Sequence, residues 1–148
     1  DEPLIDYKTI DTLIDSIKQD KAVKNMYTCI TRFLNKQDVE NPNNIKVVYD
    51  MELNAIYFSR SVIPYNRDGD FKLEDYRKHV WLYAYSREGL IEYVNDSKSR
   101  YEETEKLEYL RILENGWKIQ FVEIPNGGLS VNVQEDITAL NRVLNNDQ

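Results

Sequence analysis

The stretch AIYFSRSVIPYNRDGDF, residues 55–71, runs from apolar and aromatic residues into Ser59-Arg60-Ser61. Pro64 then breaks the strand ahead of an Arg67-Asp68-Gly69-Asp70 loop. A guanidinium between two hydroxyls has two readings. It marks the place where a sheet meets water, paired with Asp68 or Asp70, or it waits for an anion, since its planar fork matches carboxylates. Other chemistry-bearing residues are sparse. His79 is the one histidine and Cys29 the one cysteine, which excludes disulfide scaffolds and cysteine-based zinc sites. The five glycines form neither a G-x-x-x-x-G-K nor a G-x-G-x-x-G phosphate loop. No G-x-S-x-G elbow is present either. Spacing alone yields no catalytic motif.

The elements that must position these residues are legible in outline. Ile10, Leu13, Ile14 and Ile17 make one apolar face of a helix over 7–20. MYTCITRFL (26–34) is a strand, and NKQDVENPNN (35–44) reads as a loop by its Asn and Pro content. IKVVYD and AIYFSR flank Met51-Glu52-Leu53-Asn54, the spacing of a hairpin. HVWLYAYS (79–86) is a further strand whose Ser86 can cap the helix REGLIEYVND. Ser99 and Glu102 form a capping box that opens a helix over YEETEKLEYLRILEN, and Asn115-Gly116 closes it. The strand WKIQFVEI (117–124), a Pro125-Asn126-Gly127-Gly128 turn and a last helix, QEDITALNRVL, follow. Interleaved strands and helices predict a single α/β domain over 1–148 with an antiparallel hairpin.

Composition bounds the function. The chain has 148 residues, a net charge of −7 and no basic run, so nucleic acid is an unfavourable partner. No apolar stretch reaches the ~20 residues that span a bilayer, so no membrane partner is expected. A single cysteine suits the reducing cytoplasm. Eleven tyrosines suit half-buried positions where the ring is apolar and the hydroxyl polar.

Six tags in order carry a resemblance: Asp1-Glu2-Pro3-Leu4, NPNNIKVVYD, YFSRSVIP, YRKHVWLYAY, LEYLRIL and VNVQEDI. Together they resemble the C-terminal two-thirds of the 3-deoxy-manno-octulosonate (KDO) cytidylyltransferases, or CMP-KDO synthetases. The resemblance implies a nucleotide-diphospho-sugar transferase-like mixed sheet with helices, truncated at its N-terminus. It implies CTP and the acidic sugar KDO as substrates, with CMP transferred and pyrophosphate released for lipopolysaccharide or surface polysaccharide synthesis. In such a reaction a sugar hydroxyl attacks the α-phosphorus while Mg²⁺ neutralises charge on the phosphate oxygens.

By the same resemblance Arg60, His79, Glu108 and Tyr109 are substrate-binding positions, and Tyr83 joins them by strand period, its alternative being a core tyrosine with a wet hydroxyl. Arg60 would anchor the sugar carboxylate, and His79 and Glu108 would meet the sugar. Tyr83 lies two strand steps along the same face as His79, because side chains alternate with period 2. The ordinary alternative for Glu108 is an i, i+3 pair with Arg111 on a solvated helix face. Asp1 and Asn132 match the metal ligands. Asn132 departs from a family aspartate, which weakens Mg²⁺ binding, and its alternative is a capping box with Glu135. Tyr109 stands where the family has glutamine, and Trp81, where it has glycine, would crowd the strand.

The chain opens inside the first tag without an initiator Met, as a processed product or a piece of something longer would. The family's nucleotide-gripping loop precedes that tag, so the isolated chain is expected to be inactive. The hairpin at 45–60 corresponds to the family's dimerisation region, which implies a homodimer. The rival readings are a degenerate, non-catalytic dimerisation or sugar-binding domain, and a cytidylyltransferase for a related acidic sugar.

Overall fold

The computed structural model describes residues 3–20, 26–125, 127, 131 and 134–146. Helix α1 (Tyr7–Gln19) begins at Asp6, whose carboxylate accepts from the Lys8 N–H. Of its apolar stripe only Leu13 is fully buried, while Ile10 and Ile14 stay partly exposed. Strand β1 (Met26–Arg32) is buried along all but its last residue. The expected loop at 35–44 instead contains a short helix α2 (Lys36–Glu40), because the Asn35 side chain accepts from the Asp38 N–H and caps it. Val39 then buries completely.

The hairpin forms from β2 (Lys46–Tyr49) and β3 (Ala55–Ser59). Its tip is one residue longer than its spacing predicts, with Tyr49 facing Ala55 across a register shift. Asp50 organises that tip by accepting from the N–H groups of Glu52 and Asn54. Strand β4 (Arg77–Tyr85) leads through the Ser86 cap into α3 (Arg87–Asn95). Here the single helix expected over 101–115 is two: α4 (Arg100–Glu105) and α5 (Leu110–Glu114). The Ser99–Glu102 capping box is present, but Lys106 takes a left-handed conformation (φ 55°) and ends α4. The break lets Leu107, Tyr109 and Leu110 all bury, which one continuous helix on the surface could not do. Trp117 N–H donates to Ile112 and Gly116 N–H to Leu113, closing α5 as Asn115-Gly116 predicts.

Strand β5 (Ile119–Glu123) and helix α6 (Gln134–Asn146) complete the described elements. The sheet order is β3-β2-β4-β1-β5. Among the described residues only β1 and β5 pair in parallel; β1–β4, β4–β2 and β2–β3 are antiparallel. The fold is thus the mixed α/β sheet with an antiparallel hairpin that the sequence predicts. The hairpin tip curls onto the far side of β5, where the Phe121 N–H donates to Leu53 O at 2.8 Å.

Strand alternation sorts the core into two layers. Met26, Ile30, Ile119 and Phe121 pack with Phe58, Leu107, Tyr109, Leu110 and Ile112 on one face. Leu13 of α1 covers Tyr27, Cys29, Val80 and Val122 on the other. Gly127, at the turn after β5, lies so close to the sheet that an added Cβ would come within 2.7 Å of Val80 Cγ2 and 2.9 Å of Thr31 Cγ2.

Candidate functional site

β4 places His79, Trp81, Tyr83 and Tyr85 on the face that looks toward α5, as period 2 requires. His79 is wholly buried, and its ring centroid lies 4.7 Å from Tyr109, 5.2 Å from Phe58 and 5.6 Å from Tyr83. Tyr83 and Tyr109 close the triangle at 6.0 Å. Three polar atoms in this triangle have no hydrogen-bond partner among the described residues: His79 Nδ1, Tyr83 Oη and Tyr109 Oη. An unpaired buried polar group costs about 1–3 kcal/mol, so three in one place mark either strain or a ligand's position. Burial pushes the His79 pKa down to about 3, with Lys78 adding to the effect, so the imidazole is neutral. Burial likewise pushes both phenols well above the ordinary range, and the Glu108 charge adds to it.

Glu108 sits half-buried in the turn between α4 and α5. After burial, its charge further raises the hydroxyl pKa values of Tyr83, Tyr85, Tyr93 and Tyr109. The pairing with Arg111 considered from sequence does not form. Arg111 is taken by Glu102 instead, in two bonds of 2.7 Å, and its Nη1 also donates to the carbonyls of Tyr93 and Asp96. Glu108 is thereby left without Arg111 as a partner. Beside it lies a surface cleft of about 240 Å³ lined by Lys98, Glu102, Glu103, Lys106 and Glu108.

Arg60, just past β3, does not pair with Asp68 or Asp70 either; Asp70 has Lys72 at 3.5 Å. The guanidinium donates to backbone carbonyls, from Nε to Glu105 O at 2.7 Å and from Nη1 to Pro42 O at 3.1 Å. Nη2 has no partner among the described residues. The Glu105 carboxylate accepts from Ser59 Oγ at 2.6 Å and from the Arg60 N–H at 3.0 Å. Lys46, also fully buried, donates through Nζ to the carbonyls of Arg60 and Asn41. Its pKa falls to about 8, mainly by burial and against the Glu105 charge. Two cations, Lys46 and Arg60, thus share this corner with the Glu105 carboxylate, and the Arg60 guanidinium keeps an edge that can take an anion. Phe58, two residues before Arg60, has its ring centroid 4.4 Å from that of Tyr109, so the corner adjoins the triangle.

The structure therefore brings His79, Tyr83 and Tyr109 into ring contact, with Trp81 at 5.7 Å from His79 and 6.2 Å from Tyr109; Glu108 precedes Tyr109 in the chain, and Arg60 is held on the Glu105 carbonyl of α4. Asp1 and Asn132 lie outside the described residues. Among the described residues no group of three or more His, Cys, Asp or Glu side chains could hold a metal ion. Sequence reasoning missed Glu105 and Lys46. Glu105 carries no local signal, since its role depends on where α4 stops. Lys46 had one available clue, a lysine at an inward position of an apolar strand. No helix among the described residues is long and apolar enough to cross a membrane.

The cytidylyltransferase family profile matches residues 1–119. The 3-deoxy-manno-octulosonate cytidylyltransferase of Fusobacterium nucleatum is 46% identical over 138 residues, covering 93% of this chain and 55% of that protein. The protein of the same name from Geotalea daltonii is 41% identical over 146 residues, covering 93% of this chain and 57% of its own. The chain thus spans about half the length of the curated relatives it matches. Among solved structures, CMP:2-keto-3-deoxy-manno-octonic acid synthetase complexed with CTP superposes with a TM-score of 0.88 at 30% identity. That likeness covers 100% of this chain and 60% of the other. In sequence and in fold, this chain belongs to the cytidylyltransferase family, alongside the 3-deoxy-manno-octulosonate cytidylyltransferases.

Proposed function

We propose that this chain forms the acid-sugar-binding portion of a 3-deoxy-manno-octulosonate cytidylyltransferase, which transfers CMP from CTP to KDO and releases pyrophosphate in the cytoplasm for lipopolysaccharide or surface polysaccharide synthesis. The observation that carries this reading is the triangle of orphaned polar atoms on His79, Tyr83 and Tyr109, set beside the cationic corner at Arg60. Sugar hydroxyls would satisfy the three atoms, and the free edge of the Arg60 guanidinium would take the sugar carboxylate. Glu108 would accept from a further hydroxyl. In the intact reaction Asp1 and Asn132 would hold Mg²⁺, which supplies neutralising charge at the phosphate. One carboxylate and one amide make a weaker donor set for it than two carboxylates. The homodimer would form through the 45–60 hairpin, where Ile56 is 59% exposed on β3 and Met51 fully exposed at the tip.

Calorimetric titration of the chain with KDO tests the reading. Saturable heat is expected, reduced about tenfold or more in affinity by Arg60→Met or Glu108→Gln, since charge-assisted bonds contribute about 1.5–3 kcal/mol. A correctly folded chain that gives no heat leaves only the structural, dimerising role. The 148 residues alone, with CTP, KDO and Mg²⁺, should release no pyrophosphate. Trp81 packed on His79 favours one variant of the reading, a related acidic sugar of different bulk, which would then bind more tightly than KDO.

A further inference from the structure

His79 is held from behind by Thr28, a buried residue of β1 that is 51 positions away in sequence. The contact arises from an irregularity in the sheet. β1 pairs Thr28 with Tyr83 but Cys29 with Val80, so Trp81 and Leu82 are displaced from the ladder. At that break the Thr28 hydroxyl lies 2.9 Å from Leu82 O, 3.3 Å from Val80 O and 2.9 Å from His79 Nε2.

A hydroxyl has one proton to give and two lone pairs to offer. Two of its three neighbours are carbonyl oxygens, which only accept. If the proton went to His79, the hydroxyl oxygen would confront Leu82 O at 2.9 Å with no hydrogen between them. The proton must therefore go to the carbonyls, and the contact at 2.9 Å to Nε2 requires the imidazole to donate. A neutral imidazole carries a single N–H, so the other nitrogen, Nδ1, is a bare lone pair. Nδ1 is the atom that has no partner among the described residues.

We infer that Thr28 is a positioning residue that holds His79 in its Nε2–H tautomer and so presents Nδ1 to the ligand as a hydrogen-bond acceptor. The consequence is a polarity rule for the site. A group that meets His79 must be a donor, such as a sugar hydroxyl; a carboxylate there would set lone pair against lone pair. The acid end of the ligand is thereby directed away from His79 and toward Arg60. Only this consequence for the ligand rests on the acid-sugar reading; the tautomer itself does not.

The test uses the fact that His79 is the one histidine of the chain, so a ¹⁵N-labelled sample has a single imidazole to assign. Long-range ¹H–¹⁵N correlation on the ligand-free chain distinguishes a protonated from an unprotonated ring nitrogen. Wild type should show Nε2 protonated and Nδ1 bare between about pH 5 and 8. Thr28→Ser keeps the hydroxyl and should keep the pattern. Thr28→Val should give mixed or Nδ1–H imidazole. An Nδ1–H tautomer in wild type overturns the inference, as does a Thr28→Val spectrum identical to wild type. If the valine variant fails to fold, the wild-type and serine spectra still decide. In KDO titrations Thr28→Val should weaken binding about tenfold, with Thr28→Ser close to wild type. A wild-type chain with the stated tautomer that binds no KDO defeats the acid-sugar reading and supports the Thr28 assignment.

Discussion

Replacing Tyr109 by phenylalanine removes one oxygen and leaves every ring contact in place, including those at 4.4 Å to Phe58 and 4.7 Å to His79. The residue is 0% exposed and its hydroxyl has no partner among the described residues. Such a group carries an unrelieved desolvation penalty of about 1–3 kcal/mol, which the substitution removes. For a domain of this size that corresponds to a rise in Tm of about 2–10 °C. Tyr83→Phe should behave alike. The double variant should fall short of additivity, because the two rings adjoin at 6.0 Å. Urea unfolding measures the gain as a shift in midpoint at constant slope. Both variants should bind KDO less tightly, so stability and affinity move in opposite directions. That opposition distinguishes a hydroxyl kept for a ligand from one kept for packing. A Tyr109→Phe chain that is no more stable than wild type, or less so, would mean the hydroxyl is satisfied in the free protein, and the reasoning from orphaned atoms would fail.

Acid should unfold the chain through His79. Its folded pKa of about 3 lies below the ordinary 6.5, so stability is complete above pH 6.5 and is lost as pH falls from there toward 3. The slope is about 1.4 kcal/mol per pH unit, or about 2 kcal/mol at pH 5, and a His79→Gln variant in parallel urea titrations should lack that component. Arg111→Met strands the Glu102 carboxylate, which is 7% exposed and held by two 2.7 Å bonds, so unfolding free energy should drop by about 3–5 kcal/mol; a loss under 1 kcal/mol would show the pair to be dispensable. Lys106→Gly relieves a left-handed lysine at the end of α4 and should raise stability by about 0.5–1 kcal/mol in the same assay. Ala at that position should not.

Local chemistry was enough to place the caps and the strand faces. Ser86, Ser99 with Glu102, and Asn115-Gly116 act on backbone groups within a few residues, so their partners are the same in any fold that keeps those helices. Period 2 likewise sets His79, Trp81, Tyr83 and Tyr85 on one face of β4 before any neighbour is known. The candidate positions followed from that alternation and from ordered tags, and three of them, His79, Tyr83 and Tyr109, meet in ring contact. What lies between them was not legible. Nothing in YEETEKLEYLRILEN, with neither Pro nor Gly, announces a break at Lys106. The break exists because Leu107 and Tyr109 bury against β3 and β4, an advantage that appears only once the sheet has formed. It then sets the Glu105 carbonyl opposite Arg60, 45 residues away, and leaves Arg111 to Glu102 rather than to Glu108. α2 is the local counterpart: its Asn35 cap was readable, but the surrounding Asn and Pro content outweighed it. Residue types and short-range spacing thus determined which side chains could face a ligand. Only tertiary contact decided which of their polar atoms remained unpaired, because pairing across 45 or 51 residues depends on register, bulge and burial rather than on neighbours in the chain.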